Sequence, residues 1–163
     1  MRVEKIMTSK VFTLEQHDLI DRAYFLIHYE GIRHLPVVEK GKVVGMVSDR
    51  DMYKALGPKS NSKAIEGGEG KKSELHVITK RVRQIMRRGV VTVKRESFAS
   101  EAAAIMADMK IGALPVVDKD DKLVGILSST DILKVFSRIE KANEEKEIKS
   151  QSASNAQEEH KKS

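Results

Sequence analysis

Two stretches of the sequence set a hydroxyl and a carboxylate at the same spacing: Gly45-Met46-Val47-Ser48-Asp49-Arg50-Asp51 and Gly125-Ile126-Leu127-Ser128-Ser129-Thr130-Asp131. Each follows an apolar run and opens a segment of helical character, so each places Ser-x-x-Asp where a strand gives way to a helix. The pattern suits two kinds of chemistry. One is structural: a serine N-cap with an aspartate at the third helical position makes a capping box. The other is recognition. A helix start offers free N–H groups and the positive end of a dipole to a phosphate. The serine hydroxyl adds a donor, and the carboxylate can accept hydrogen bonds from ribose hydroxyls. The two uses are compatible, because a capping serine can still face a ligand.

No reaction centre accompanies these motifs. Cysteine is absent, which removes thiolate nucleophiles and thiolate metal sites. His17, His28, His34, His76 and His160 have no metal-ligand spacing, so no metal is expected. Gly67 to Ser73 invites comparison with a phosphate-binding P-loop but fails it. Ile65 stands where that motif needs glycine, and Lys72 stands where a serine or threonine belongs. With no nucleophile beside a base and no paired carboxylates, the expectation is no catalytic residue and no enzyme.

The elements that position the motifs are themselves repeated. Leu35-Pro36-Val37-Val38 recurs as Leu114-Pro115-Val116-Val117, and Ile6-Met7 as Ile85-Met86, at an offset of 79 that grows to 80 after one extra residue in the turn before Lys122. Each copy reads as a short amphipathic lead-in (Val3 to Met7, Val82 to Met86), a β-rich stretch (Val11 to Leu14, Val90 to Val93) and a helix. Asp18 and Ser97 are the expected N-caps of those helices, and Leu19, Ile20, Ala23, Leu26 and Ile27 form an apolar stripe on the first. Leu-Pro-Val-Val then opens a hairpin, with its proline at the strand start. A closing helix follows, over Asp49 to Leu56 or Ser129 to about Ala142.

The expected class is therefore α/β (α+β), built from two β-α-β-β-α units that bury their apolar faces against each other. Residues 1–56 form the first unit, 57–79 a glycine- and lysine-rich flexible linker, 80–142 the second unit, and 143–163 a charged, polar, disordered tail. The chain has 163 residues, 40% hydrophobic and 33% charged, with no apolar run of membrane-spanning length. Nor does its start read as a signal peptide, so a cytoplasmic location is expected. The formal charge of +6 favours anionic partners. The basicity is densest over Lys80, Arg81, Arg83, Arg87, Arg88, Lys94 and Arg95. With only 4% aromatic residues to stack on bases, nucleic acid is not the expected partner for that run.

Leu-Pro-Val-Val, a polar turn, an apolar strand carrying glycine and then Ser-x-x-Asp, all repeated after a linker, resembles a CBS-domain pair (a Bateman module), here as a stand-alone regulatory protein. The likeness covers about residues 1 to 140. It implies two half-modules packed with pseudo-twofold symmetry and, between their sheets, two clefts that take adenosine-containing ligands such as AMP, ADP, ATP or S-adenosylmethionine. Carried over residue by residue, one cleft combines Met7, Ile32, Arg33 and His34 with Ser128, Thr130 and Asp131. The other combines Ser48, Arg50 and Asp51 with Met86, Arg87, Ile111, Gly112 and Ala113. The aspartates would take ribose, the serines and arginines phosphate, and the apolar members the adenine. The resemblance implies a regulatory, energy-sensing module that signals by a change of shape to an unidentified effector protein. It also implies a homodimer through the two closing helices, which carry Tyr53, Leu56, Val135 and Phe136. Two rival readings are a ligand-free interaction scaffold and a nucleic-acid-binding regulator using the Lys80 to Arg95 face.

Overall fold

The computed structural model describes residues 1–56 and 80–161, with the backbone alone for 151–161. The linker expected over 57–79, with its P-loop-like stretch, lies outside the described residues. The elements are α1 (Ile20–His28), β1 (His34–Glu39), β2 (Lys42–Ser48), α2 (Asp49–Leu56), β3 (Val93–Lys94), α3 (Ala99–Met109), β4 (Ala113–Val117), β5 (Leu123–Ser128) and α4 (Ser129–Lys161). Single 3-10 turns at Val3–Lys5 and Val82–Gln84 form the two lead-ins. This is the expected mixed α/β architecture in two copies.

Each copy is built around an antiparallel hairpin. In the first, Glu39-Lys40-Gly41-Lys42 makes a two-residue turn with φ of 50° at Lys40 and 81° at Gly41. Both central residues are left-handed, which is the turn geometry whose twist matches paired strands. In the second, the extra residue lengthens the loop, and Asp118 Oδ1 closes it by accepting from the Asp120 and Lys122 N–H groups, both at 2.9 Å. The hairpin registers are equivalent, with Val37 opposite Gly45 and Val116 opposite Gly125, each followed by a bulge.

The prolines lie inside their strands, at the third position of β1 and of β4, and not at the strand starts. The ladder accounts for this. Leu14 N–H donates to the Pro36 carbonyl at 3.0 Å, so residue 36 turns its main-chain groups away from β2 and toward the Leu14 segment. Its missing N–H therefore breaks no hairpin bond. The expected strands before the first helices are short: Val93 and Lys94 run parallel to Val116 and Val117, and the first copy retains a single bridge, Leu14 to Val37.

The two copies interlock through their lead-ins. Val3 N–H donates to Ser97 O (2.9 Å) and Glu4 N–H to Arg95 O (3.0 Å), while Val82 N–H donates to Asp18 O (2.9 Å) and Arg83 N–H to Gln16 O (3.0 Å). Val3 is fully buried in a core with Val93, Ala102, Leu114, Val116 and Leu127, all from the second copy. Val82 and Met86 are buried with Leu14, Ile20, Leu35, Val37 and Val47 of the first. Each compact unit thus takes its lead-in from the other copy.

This exchange also corrects the expected helix caps. The residue before α1 is Leu19 and that before α3 is Phe98, and neither helix has a side-chain cap. The first N–H of α1 instead donates to Lys80 O at 3.1 Å and that of α3 to Met1 O at 3.0 Å, so the lead-ins satisfy them. Asp18 is used one step earlier, its Oδ2 accepting from Glu15 N–H at 2.8 Å. The helix expected to end near Ala142, before a disordered tail, is likewise corrected, because α4 continues to Lys161. Residues 142–161 contain no glycine or proline and are rich in Ala, Glu, Lys and Gln, the stronger helix formers, with Glu145 and Lys149 at the favourable i,i+4 spacing.

Candidate functional site

The ends of β1, β2, β4 and β5 meet at a groove of about 930 Å³. Both Ser-x-x-Asp motifs open onto it, and both are also capping boxes. Ser48 Oγ–H donates to Asp51 Oδ2 at 2.6 Å, Ser48 N–H donates to the same oxygen at 3.0 Å, and Ser48 Oγ accepts from Asp51 N–H at 3.3 Å. The Ser128 and Asp131 distances are 2.6, 2.9 and 3.2 Å. Each serine proton is therefore committed to its own aspartate. The donor role toward phosphate expected of the serines is already spent within the motif.

Of the residues expected in the clefts, Ile32, Arg33, His34, Ser48, Arg50, Asp51, Arg87, Ile111, Gly112, Ala113, Ser128, Thr130 and Asp131 line the groove, while Met7 and Met86 do not. The methionines lie one layer deeper, against the glycines of the motifs. A Cβ at Gly125 would stand 2.5 Å from Met7 Sδ, and one at Gly45 would stand 2.7 Å from Met86 Sδ.

The expected grouping also changes. His34 is paired directly with Ser48 across the first hairpin, and Ala113 with Ser128 across the second. Asp49 N–H donates to Arg33 O at 3.1 Å and Ser129 N–H to Gly112 O at 2.9 Å. The residues ahead of Leu-Pro therefore flank the motif of their own copy. The lead-in is what crosses over: Arg87 exchanges both main-chain bonds with Met46 (2.9 and 3.0 Å), and Thr8 exchanges both with Ile126 (2.9 Å each). One half of the groove collects Arg33, His34, Ser48, Arg50, Asp51 and Arg87. The other collects Thr8, Ile111, Gly112, Ala113, Ser128, Thr130 and Asp131. The halves meet where the His34 ring packs on Gly112, 3.1 Å from the position of a Cβ there.

The electrostatics of the halves differ. Asp51, 7% exposed, accepts from Arg87 Nε at 3.1 Å through Oδ1, so both of its oxygens are engaged. Burial pushes its carboxyl up, but the Ser48 and Arg87 hydrogen bonds outweigh that and hold it below its ordinary value of 3.8. Asp49 pairs with Arg33 (3.4 Å) and caps the Arg50 N–H with its other oxygen (2.8 Å). His34 is held below its ordinary 6.5, chiefly by burial, with neighbouring Asp49 opposing the shift. In the other half, Asp131 Oδ1 has no hydrogen-bond partner among the described residues.

Thr8, Lys10, Phe12, Arg88 and Lys134 also line the groove and were missed by the reading of the sequence. The offset of 79 pairs Thr8 with Arg87 and is the signal that finds it. The basic run from Lys80 to Arg95 does not form one free face. Lys80 bonds Ala55 O, Arg81 bonds His17 O, Arg87 pairs with Asp51, Lys94 with Asp121 and Arg95 with Glu4. Among the described residues no group of three potential ligands could hold a metal ion, and no helix is long and apolar enough to cross a membrane.

The CBS domain family matches residues 3–58 and 82–138. The chain belongs to that family. The uncharacterized protein MJ1225 of Methanocaldococcus jannaschii is 36% identical over 106 residues, 65% of this chain and 36% of the relative's length. This chain thus spans about a third of that relative. Among solved structures, the CBS domain pair of protein MJ0100 in complex with 5′-methylthioadenosine and S-adenosyl-L-methionine is 28% identical. Its TM-score is 0.66, over 84% of this chain and 96% of the other. CBSX2 in complex with AMP is 26% identical with a TM-score of 0.67, over 85% and 98% of the two chains.

Proposed function

We propose that this CBS pair is a non-catalytic regulatory module that binds an adenosine-type ligand (AMP, ADP, ATP or S-adenosylmethionine) in the groove between its two copies. The observation that carries the reading is the convergence of both Ser-x-x-Asp motifs on one groove of about 930 Å³, a volume in the range of small-molecule sites. Similar CBS pairs hold AMP, 5′-methylthioadenosine and S-adenosylmethionine. Within the groove a carboxylate suits the ribose diol, Ile32 and Ile111 suit the adenine faces, and Arg33, Arg50, Lys10 and Lys134 supply positive charge for phosphate.

Because the copies exchange lead-ins, a ligand gripping Thr8 and Asp131 touches both at once. Binding then favours one relative placement of the copies, limited by the ligand's differential affinity for the two placements. The readout would be an effector protein and a homodimer formed through α2 and the start of α4, where Tyr53 and Phe136 are 59% and 60% exposed. Calorimetric titration with the four ligands, beside Asp51→Ala and Asp131→Ala, tests the proposal. Heat lost in either variant supports it. Silence from all four ligands, with the chain folded, would replace it with an interaction scaffold.

A further inference from the structure

The two halves of the groove descend from one repeat, yet their polar groups are spent differently. In the Asp51 half both carboxylates already have partners from this chain. Asp51 Oδ2 takes two bonds from Ser48, and Oδ1 takes Arg87 Nε at 3.1 Å. Asp49 caps the Arg50 N–H and pairs with Arg33. In the Asp131 half the equivalents of Arg87, Asp49 and Arg33 are Thr8, Ser129 and Gly112. Thr8 holds the same main-chain place beside Ile126 that Arg87 holds beside Met46, but its side chain is uncharged and forms no ion pair with Asp131. Among the described residues nothing bonds Asp131 Oδ1, which therefore stays open to the groove, and no side chain caps the Thr130 N–H.

A ribose diol approaching Asp51 meets a carboxylate with three of its roughly four acceptor sites filled, so its two hydroxyls cannot both bind there unless one displaces the charge-assisted bond from Arg87. The exchange replaces a charged donor by a neutral hydroxyl and is unfavourable. At Asp131 the same ribose meets an oxygen with nothing to displace. We infer that Arg87 is a specificity-determining residue that occupies Asp51 from within, so that the chain takes one nucleoside, in the Asp131 half. This rests on the adenosine reading above and adds to it which half is filled and why.

The test is calorimetry of the whole chain with AMP, read as stoichiometry, beside a carbon-detected NMR titration of the Asp51 carboxyl. Wild type binds one AMP per chain, and Asp131→Ala weakens that binding about 10- to 100-fold. Arg87→Ala binds two, and its Asp51 carboxyl titrates higher than in wild type. Arg87 is 62% exposed, so the truncation leaves the cores intact. Two sites in wild type, undiminished binding by Asp131→Ala, or one site persisting in Arg87→Ala overturns the proposal while leaving the adenosine reading standing. If wild type binds none of AMP, ADP, ATP and S-adenosylmethionine, the underlying reading fails and this proposal with it. An Asp51 titration unmoved by Arg87→Ala refutes the occlusion without reference to any ligand.

Discussion

Truncating one lead-in valine should loosen the opposite copy. Val3 and Val82 are both fully buried, each in the core of the copy to which it does not belong in sequence. Replacing either by alanine removes two buried methyl groups, worth about 1.6 kcal/mol of transfer free energy at about 0.8 kcal/mol each. The cavity left behind raises the total to about 2–3 kcal/mol, because the surrounding strands relax only partly. That loss corresponds to roughly a 30- to 140-fold increase in opening of the affected core. Native-state hydrogen exchange resolves where the loss falls. Val3→Ala should speed exchange most at Leu114, Val116 and Leu127, and Val82→Ala at Leu35, Val37 and Val47. Faster exchange confined to the copy that carries the substitution would refute the exchanged lead-ins, and with them the construction of the groove.

Two further outcomes follow from close contacts and burial. Gly125→Ala would set a Cβ 2.5 Å from Met7 Sδ and 3.1 Å from Thr8 O; the backbone oxygen cannot move without breaking its ladder with Ile126. The expected cost is about 1–3 kcal/mol, and an unchanged urea midpoint would be inconsistent with the packing described. His34 should titrate by NMR with a midpoint below 6.5, because burial disfavours its charged form. The unfolded chain takes up the proton first, so the stability this histidine contributes is present above pH 6.5 and falls as pH drops toward its lowered folded value. A midpoint at or above 6.5 would contradict its burial between the halves of the groove.

Much of this protein was legible in its residues. The offset of 79 and 80 between copies, the Leu-Pro-Val-Val hairpins and the Ser-x-x-Asp junctions are local patterns, and local backbone preferences carry them into the structure nearly unchanged. The capping boxes at Ser48 and Ser128 are a case in point, since donor and acceptor lie only three residues apart. The failures came where a partner lies far along the chain. Asp18 and Ser97 have the composition of N-caps, but the carbonyls of Lys80 and Met1 reach the helix starts instead. The run of α4 beyond Ala142 has a different cause, because apolar spacing fades there while helix propensity stays high.

Residue types and their spacing already carry the repeat, the class of fold, the two motifs and many of the residues that line the groove. The resemblance already grouped Arg87 with Asp51, and tertiary structure decided the rest of each half and the bond between those two. Hairpin pairing keeps Arg33 and His34 beside Ser48, since residues opposed in an antiparallel ladder cannot part, and the exchanged lead-ins carry Arg87 to Asp51 and Thr8 to the Asp131 side. The ion pair that separates an occupied carboxylate from an open one spans 36 residues. No pattern of local spacing announces it, because it exists only once the second copy has been laid against the first.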